Sequence, residues 1–542
     1  MDERANTIAY LIVQYALGVH QNPVPNASGK AYTYGSCSVR LVMPTIVERM
    51  VCRCILDFDT VSMLIRRLWG MGNTTTASVT GAQVAPAKSA IKDLPIAKVW
   101  AFAVGQFGWA LLSGIISNWL VYFYQPDQET ISQGQTVFVP QGLVVLGIVT
   151  VVGGITAFAR FFDAFVDPAV ASLSDRCDAK SGRRMPFLKF AALPLAVVTV
   201  LVFWSPINGT SWVNAAFLFV TVIGYYIALT FYCTPYNALI AELGHDSKQQ
   251  LTISTAISFT WVDGTAIAYV APVIWGAFVP MMGRITAIRV TFTIMAAVAF
   301  VCMLVPPLAI REKDYVNSQP TSESAIESLK QTFGDGEFRK FVCSDVVYWV
   351  AITTFQTGLP FFVTSLLKLP ETTTTIYFVL MTGVSVLFYL PVNILANKVG
   401  KKRLLLVAFV IFTCAFAFAG ALGSAVLGFI PAMAQGLVLS VVSAIPMAAF
   451  GILPQAIVAN IADASSKTTG QDRQGMFYAA RTFAMKMGQS VAMLLFTGVS
   501  TIGMASGAGY RIAAVCAAVL CGLGGIVFAF YNEKKVLGVL ET

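Results

Sequence analysis

The amino-acid sequence predicts an all-α membrane protein of twelve transmembrane helices arranged as two halves of six. Three observations carry that expectation. Of the 542 residues, 56% are hydrophobic and only 12% are charged, whereas soluble domains carry roughly 25% charge. The apolar residues come in blocks of about 20 to 30, enough to cross ~30 Å of hydrocarbon at ~1.5 Å per residue. The lysines and arginines are confined to short loops and divide unevenly between the two sides. The net charge of +9 therefore reads as attraction to a lipid bilayer. No basic helix face is left to lie on a duplex, so no nucleic-acid partner is expected. The ten cysteines show no metal spacing and the chain has two histidines, which disfavours a zinc or histidine-based catalytic centre and an enzyme.

Residues 1–97 form an N-terminal extension with no full span. The apolar stretch Thr7 to Val19 is short and follows Asp2 and Glu3, unlike a secretory leader. Met71 opens a polar stretch that runs into the first strong span, and it is expected to be the true start, with residues 1–70 mis-started or disordered. Spans are expected at about residues 98–124, 141–173, 187–206, 212–240, 249–279 and 285–309. A charged central loop follows at 311–340. The second set lies at about 341–367, 372–397, 404–424, 427–460, 476–502 and 508–531, before a tail at 532–542. This makes 98–310 and 341–531 the two halves. With these spans, eighteen Lys and Arg fall on one side, including Arg176, Arg183, Arg184, Lys401, Lys402 and Lys534. Three, Arg284, Lys368 and Arg511, fall on the other. The basic side is then cytoplasmic, with both termini and the central loop, in a plasma or inner membrane.

The halves repeat. Ser174-Asp-Arg and then Ser181-Gly-Arg-Arg follow the second span, and Asn397-Lys-Val-Gly-Lys-Lys-Arg follows the eighth. Eight is two plus six. Two six-span repeats about an axis along the membrane normal describe the major facilitator fold.

Charge inside a span is costly and marks function. The second span carries Arg160, Asp163 and Asp167, at i, i+3 and i+7 along one stripe. Counted from Asp175 at the cytoplasmic edge, Asp163 lies roughly 18 Å deep and Asp167 roughly 12 Å. In the eleventh span Lys486 lies roughly 16 Å from Gly475. Two carboxylates one turn apart repel unless a proton, a cation or a basic neighbour intervenes. Lys486 and Arg160 are the available neighbours, and a cation competing with Lys486 is a coupling device. The alternative is a static neutralised brace between the halves. Asp263 in the fifth span is a further candidate, with a hydrogen bond to a neighbouring helix as the alternative, and Arg481 lies near enough to the cytoplasmic edge to snorkel. Trp109, Tyr122, Tyr225, Tyr236, Trp261 and Gln356, with Asn237 and Asp263, are candidates for lining a cavity. In the loop after the second span, Asp175 pairing with arginines of neighbouring helices would latch the cytoplasmic side. Arg176, Arg183 and Arg184 supply charge there and Gly182 a tight turn.

At these residues the chain resembles the glycoside–pentoside–hexuronide:cation symporters, the group of the melibiose permease. The matching stretches are Ala159-Arg-Phe-Phe-Asp-Ala-Phe-Val-Asp-Pro168, Ser174-Asp-Arg to Pro186, Pro235-Tyr-Asn-Ala-Leu-Ile-Ala-Glu-Leu243 and Gly475-Met-Phe-Tyr-Ala-Ala-Arg-Thr-Phe-Ala-Met-Lys486. The resemblance runs from about Lys98 to the C-terminus. It implies Na+- or H+-driven uptake of a sugar or glycoside by alternating access, in a monomer with no cofactor beyond a coupling Na+. It places the cation on Asp163 and Asp167 with a hydroxyl from Thr230, and the family's eleventh-span lysine on Lys486. The galactoside half of the pattern departs. Ala110 and Cys233 stand at acidic positions, Asn237 at an aromatic one, and Gln250 and Ala256 at arginines. The solute is left open between a sugar-like molecule and a lysolipid-like amphiphile. A receptor or scaffold that no longer transports is a further alternative, against which Asp163, Asp167 and Lys486 speak.

Overall fold

The computed structural model describes residues 93–541 except 146, 148, 178, 180, 181, 245, 246, 317–330, 470–473, 504 and 505. Among the described residues, twelve helices of eighteen residues or more build the protein. The expected start at Met71 and the extension before residue 93 lie outside the described residues, as do residues 317–330 of the central loop. The first six helices are α1 (Ile96–Tyr124), α2 (Val151–Asp175), α3 (Met185–Val202), α4 (Trp212–Leu243), α5 (Ser247–Met282) and α6 (Arg284–Ala309). The second six are α7 (Gly336–Phe361), α8 (Thr372–Val399), α9 (Lys401–Ala421), α10 (Ala432–Thr469), α11 (Gln474–Val499) and α12 (Ala508–Ala529). Ten of the twelve are long and apolar enough to cross a membrane. The two that fall short are α2 and α11, which carry Arg160, Asp163 and Asp167 on one and Arg481 and Lys486 on the other.

The one large boundary difference is at the second span. The apolar pattern includes residues 141–150 in it, but α2 begins at Val151, capped by the Thr150 hydroxyl accepting from the Gly153 N–H. Pro140 precedes this stretch, and Gly142 and Gly147 take φ of +83° and +71°, so the backbone there cannot be helical.

Packing follows the repeat. Within the first half, α1 lies against α5 and α6, α3 against α4, and α2 against α4. Within the second, α7 lies against α12 and α11, α9 against α12, and α8 against α10. Between halves the contacts are α2 with α11, α5 with α8, and α1 with α7. Adding six to each number exchanges the first two pairs and returns the third, the signature of a twofold axis relating the repeats. The first half closes around α1 through small residues. A Cβ on Gly108 would lie 2.6 Å from the Ala299 carbonyl oxygen and one on Gly114 would lie 2.5 Å from Ala268 Cβ.

The repeated loops share a capping device. The Glu312 carboxylate, just past α6, accepts the backbone N–H groups of Arg183, Arg184 and Met185, each at 2.9 Å, at the start of α3. Glu533, just past α12, accepts those of Lys401 and Lys402 at 3.0 and 3.1 Å at the start of α9. Each carboxylate satisfies amides left open by the helix and meets the positive end of its dipole. Gly182 makes the close approach possible. Its φ is +120°, and a Cβ there would sit 2.3 Å from a Glu312 carboxylate oxygen. Gly182→Ala is therefore expected to lower thermal stability clearly, by about 1–3 kcal/mol. Gly209→Ala, with φ of +96° and nothing within 4 Å, carries backbone strain alone and is the milder reference. Midpoints from heated detergent samples followed by size exclusion check the difference. Equal midpoints would show that Glu312 yields freely.

Candidate coupling site

Asp163, Asp167, Thr230 and Lys486 come together at the seam between the halves. The Lys486 ammonium lies 2.8 Å from Asp163 Oδ2 and 2.5 Å from Asp167 Oδ2. α2 supplies both carboxylates because residues four apart stack on one helix face. α11 supplies the lysine from the opposite half. Asp163 is buried at 1% exposure, while the Asp167 side chain keeps 27%. The remaining oxygens face α4. The Thr230 hydroxyl donates to Asp163 Oδ1 at 2.6 Å, and the Thr234 hydroxyl donates to Asp167 Oδ1 at 3.2 Å. Thr234 is not among the residues the sequence singles out. Its only signal is its place four residues after Thr230, matching the spacing of the two aspartates. One turn on, Asn237 continues the same stripe and is exposed.

Nearby contacts fix the seam. Ser490 on α11 donates to the Ala157 carbonyl on α2 at 2.7 Å, and Phe165 meets Phe483 edge to face at 5.5 Å. An ammonium shared by two carboxylates balances part of the cost of taking all three from water. Removing one partner strands buried charge.

Arg160 does not join this cluster. It lies three residues before Asp163, which turns its side chain toward α1 and α4. There a guanidinium N–H donates to Ser117 at 3.3 Å and the group stacks over Tyr226 at 5.0 Å. Its Nε is buried without a hydrogen-bond partner among the described residues. Asp263 is half-buried and has no hydrogen-bond or ion-pair partner among the described residues. Two positions from Trp261, its side chain leaves a different flank of α5. Tyr236 is no cavity residue. It is fully buried, stacks on Phe102 at 4.2 Å and donates to the Phe102 carbonyl. Arg481 does not snorkel, but pairs with Asp345 at 2.9 Å inside the second half.

Two further stripes bear unpaired polar groups. On α1, Trp109, Ser113 and Ser117 are four residues apart, and the serines meet Tyr225 at 3.4 Å and Arg160 at 3.3 Å. Trp109 packs on Trp261 at 4.9 Å, with its indole N–H buried and without a hydrogen-bond partner among the described residues. On α7, Trp349, Thr353 and Gln356 share a face. Trp349 Nε1, Thr353 Oγ1 and, on α11, Gln489 Oε1 are buried without hydrogen-bond partners among the described residues. Gly488 keeps α11 close, since a Cβ there would lie 3.3 Å from Trp349 Cβ.

The two ends of the bundle differ. At the basic-loop end three ion pairs among the described residues lie within the first half. Asp175 pairs with Arg184, and Arg183 and Arg184 with Glu242, each at 2.9 Å. The expected latch is thus an intra-half brace, and Arg176 is exposed beside it. At the opposite end the halves are tied together. The Arg284 guanidinium forks onto Glu371, with Nη1 3.0 Å from Oε1 and Nη2 2.7 Å from Oε2. Trp275 Nε1 and the Tyr122 hydroxyl donate to the same carboxylate at 2.5 and 3.0 Å. Gln125 donates to the Thr497 carbonyl and to Ser500, both at 2.9 Å. Asp127 accepts from Thr364 at 2.7 Å and from Ser365. Apart from Tyr122 and Arg284, counted in the sequence only as a loop charge, none of these residues stands out in the sequence, because they sit at span ends where polar residues are ordinary.

The sequence model of the MFS/sugar transport protein family matches residues 101–534. The inner membrane symporter YicJ of Escherichia coli (strain K12) is 25% identical over 226 residues, 41% of this chain and 47% of that protein. The isoprimeverose transporter of Lactiplantibacillus pentosus is 24% identical over 175 residues, 32% of this chain and 33% of that protein. The chain thus spans less than half the length of these two curated relatives. The crystal structure of the nucleoside transporter NupG superposes with a TM-score of 0.53 at 14% identity, over 80% of this chain and 100% of that one. That likeness is one of fold. An integral, multi-pass membrane protein with this repeat and this match, the chain belongs to the glycoside–pentoside–hexuronide:cation symporter family of the major facilitator superfamily.

Proposed function

We propose that the chain is a secondary active transporter, not an enzyme, that couples entry of Na+ or H+ to uptake of a sugar- or glycoside-like solute by alternating access. The observation that carries this reading is the single lysine shared by two carboxylates across the half–half seam. A cation reaching Asp163 and Asp167 replaces Lys486 as their counter-charge and releases the tie between α2 and α11. Binding energy is thereby converted into a change in how the halves pack. With the basic loops in the cytoplasm, the tied end is external and Asp167 faces the inward side. The arrangement is then that of a carrier closed to the outside. Trp109, Trp349, Thr353, Gln356 and Gln489, with Arg160, offer donors, acceptors and flat apolar faces to a polyhydroxylated ring. The named functions of the relatives, symport and isoprimeverose transport, support this class of cargo.

The test is uptake of a labelled methyl glycoside and a labelled glucuronide into vesicles, with an inward Na+ gradient, an inward H+ gradient or neither. Accumulation of at least one probe is expected only with a gradient. Lys486→Ala leaves the carboxylates uncompensated, so its uptake is expected to fall about tenfold or more with a changed cation half-saturation. Equal accumulation of every transported probe without a gradient would remove the coupling.

A further inference from the structure

We infer that Thr234 is a cation ligand and sets which cation the coupling site takes, completing a four-oxygen site for an alkali metal ion. This rests on the coupling reading above. The geometry is a ladder of two rungs. Asp163 meets Thr230 and Asp167 meets Thr234. Both rungs join residues 67 apart in sequence, because α2 and α4 run parallel with one register. Each aspartate gives one oxygen to a threonine and the other to Lys486. A threonine hydroxyl that donates its proton to a carboxylate still has lone pairs for a cation. When Lys486 leaves, both carboxylates lose their counter-charge and each keeps a threonine hydroxyl on its other oxygen.

The prolines extend the match. Pro168 follows Asp167 and Pro235 follows Thr234, in the same register, and both lie inside their helices. Each removes the N–H that would serve the carbonyl four residues back, Ala164 and Phe231 respectively. Two backbone oxygens beside the rungs are thereby released from helix bonding, as at discontinuous helices that coordinate ions. A proton needs one carboxylate oxygen. A metal ion must replace its hydration shell with several oxygens, and this ladder supplies them. A lone carboxylate pair would serve a proton without Thr234.

The experiment titrates the purified full-length protein in detergent with Na+, Li+ and K+ by calorimetry, and follows proton uptake on acidification. The wild type is expected to bind Na+ or Li+ saturably and K+ far more weakly. Thr234→Val, equal in shape without the hydroxyl, is expected to weaken Na+ binding about tenfold or more. Thr234→Ser is expected to stay within about threefold of wild type. Wild-type Na+ affinity in Thr234→Val overturns the ligand role. Proton uptake lost in the Asp163→Asn and Asp167→Asn variants, with no Na+ or Li+ binding by the wild type, overturns the metal site and leaves coupling intact. Na+ binding unchanged in both aspartate variants overturns the coupling reading itself.

Discussion

Asp163→Asn is expected to abolish cation-stimulated uptake while leaving a folded protein in the membrane. The asparagine keeps the shape and can still accept from the Thr230 hydroxyl, which holds Asp163 at 2.6 Å. It loses the charge that faces Lys486 at 2.8 Å. Breaking a buried pair costs about 3–5 kcal/mol, so apparent cation affinity should fall by up to about 10²–10⁴. Asp167→Asn should lose cation stimulation too, but less severely, because Asp167 is the more exposed of the two carboxylates. Solute exchange down its own gradient should survive in part, since the cation no longer gates the seam. Uptake against cation concentration, corrected for surface expression, reads this out. Wild-type cation stimulation in both variants would make the cluster a static brace.

Glu371→Gln is expected to open the tied end. The Arg284 and Glu371 side chains are 6% and 10% exposed, and donors from α1, α5 and α6 converge on the carboxylate. The substitution keeps size and hydrogen bonding but strands Arg284 without a counter-charge. The loss, about 3–5 kcal/mol, is as large as the few kcal/mol that separate conformers of a two-state protein. The outward-open state should therefore gain population. Thr357→Cys, at a residue 2% exposed on α7 one turn before Phe361, reports it. Phe361 packs on the Tyr122 ring at 5.2 Å, so the site is shielded while the tie holds. In a background without reactive cysteines, labelling by a membrane-impermeant maleimide from outside should rise about tenfold or more with Glu371→Gln. Uptake should fall, because closure is then the slow step. Unchanged labelling would show that Gln125 and Asp127 hold this end without Glu371.

The parts legible in the sequence are those that hydrocarbon penalises. A charge in a span is rare, so Asp163, Asp167 and Lys486 announce themselves, and a rise per residue is enough to place them at one depth. Span order and the repeat follow from apolar blocks and loop charge for the same reason. Thr234 is less visible because a threonine in a span costs little and satisfies itself on its own helix, as Thr221 and Thr260 do. Only the matched spacing with α2 distinguishes it, and that match has meaning once α2 and α4 are known to be neighbours in register. Arg160 misleads because residues three apart share a stripe only loosely, and a long side chain goes to the nearest aromatic face. The Arg284–Glu371 tie joins residues 87 apart at loop edges, where no periodicity connects them. Tyr236 and Asp263 show the converse limit, since residue type alone does not say which flank of a helix faces the seam.

The measurement closest to the central claim needs no imposed cation gradient. The purified protein is placed in proteoliposomes containing a Na+ or pH indicator, and a transported glycoside is added outside. Symport through the Asp163–Asp167 site predicts cation entry that starts with the solute, scales with solute uptake and disappears in Asp163→Asn. Solute entry at the wild-type rate with no accompanying Na+ or H+ would contradict it.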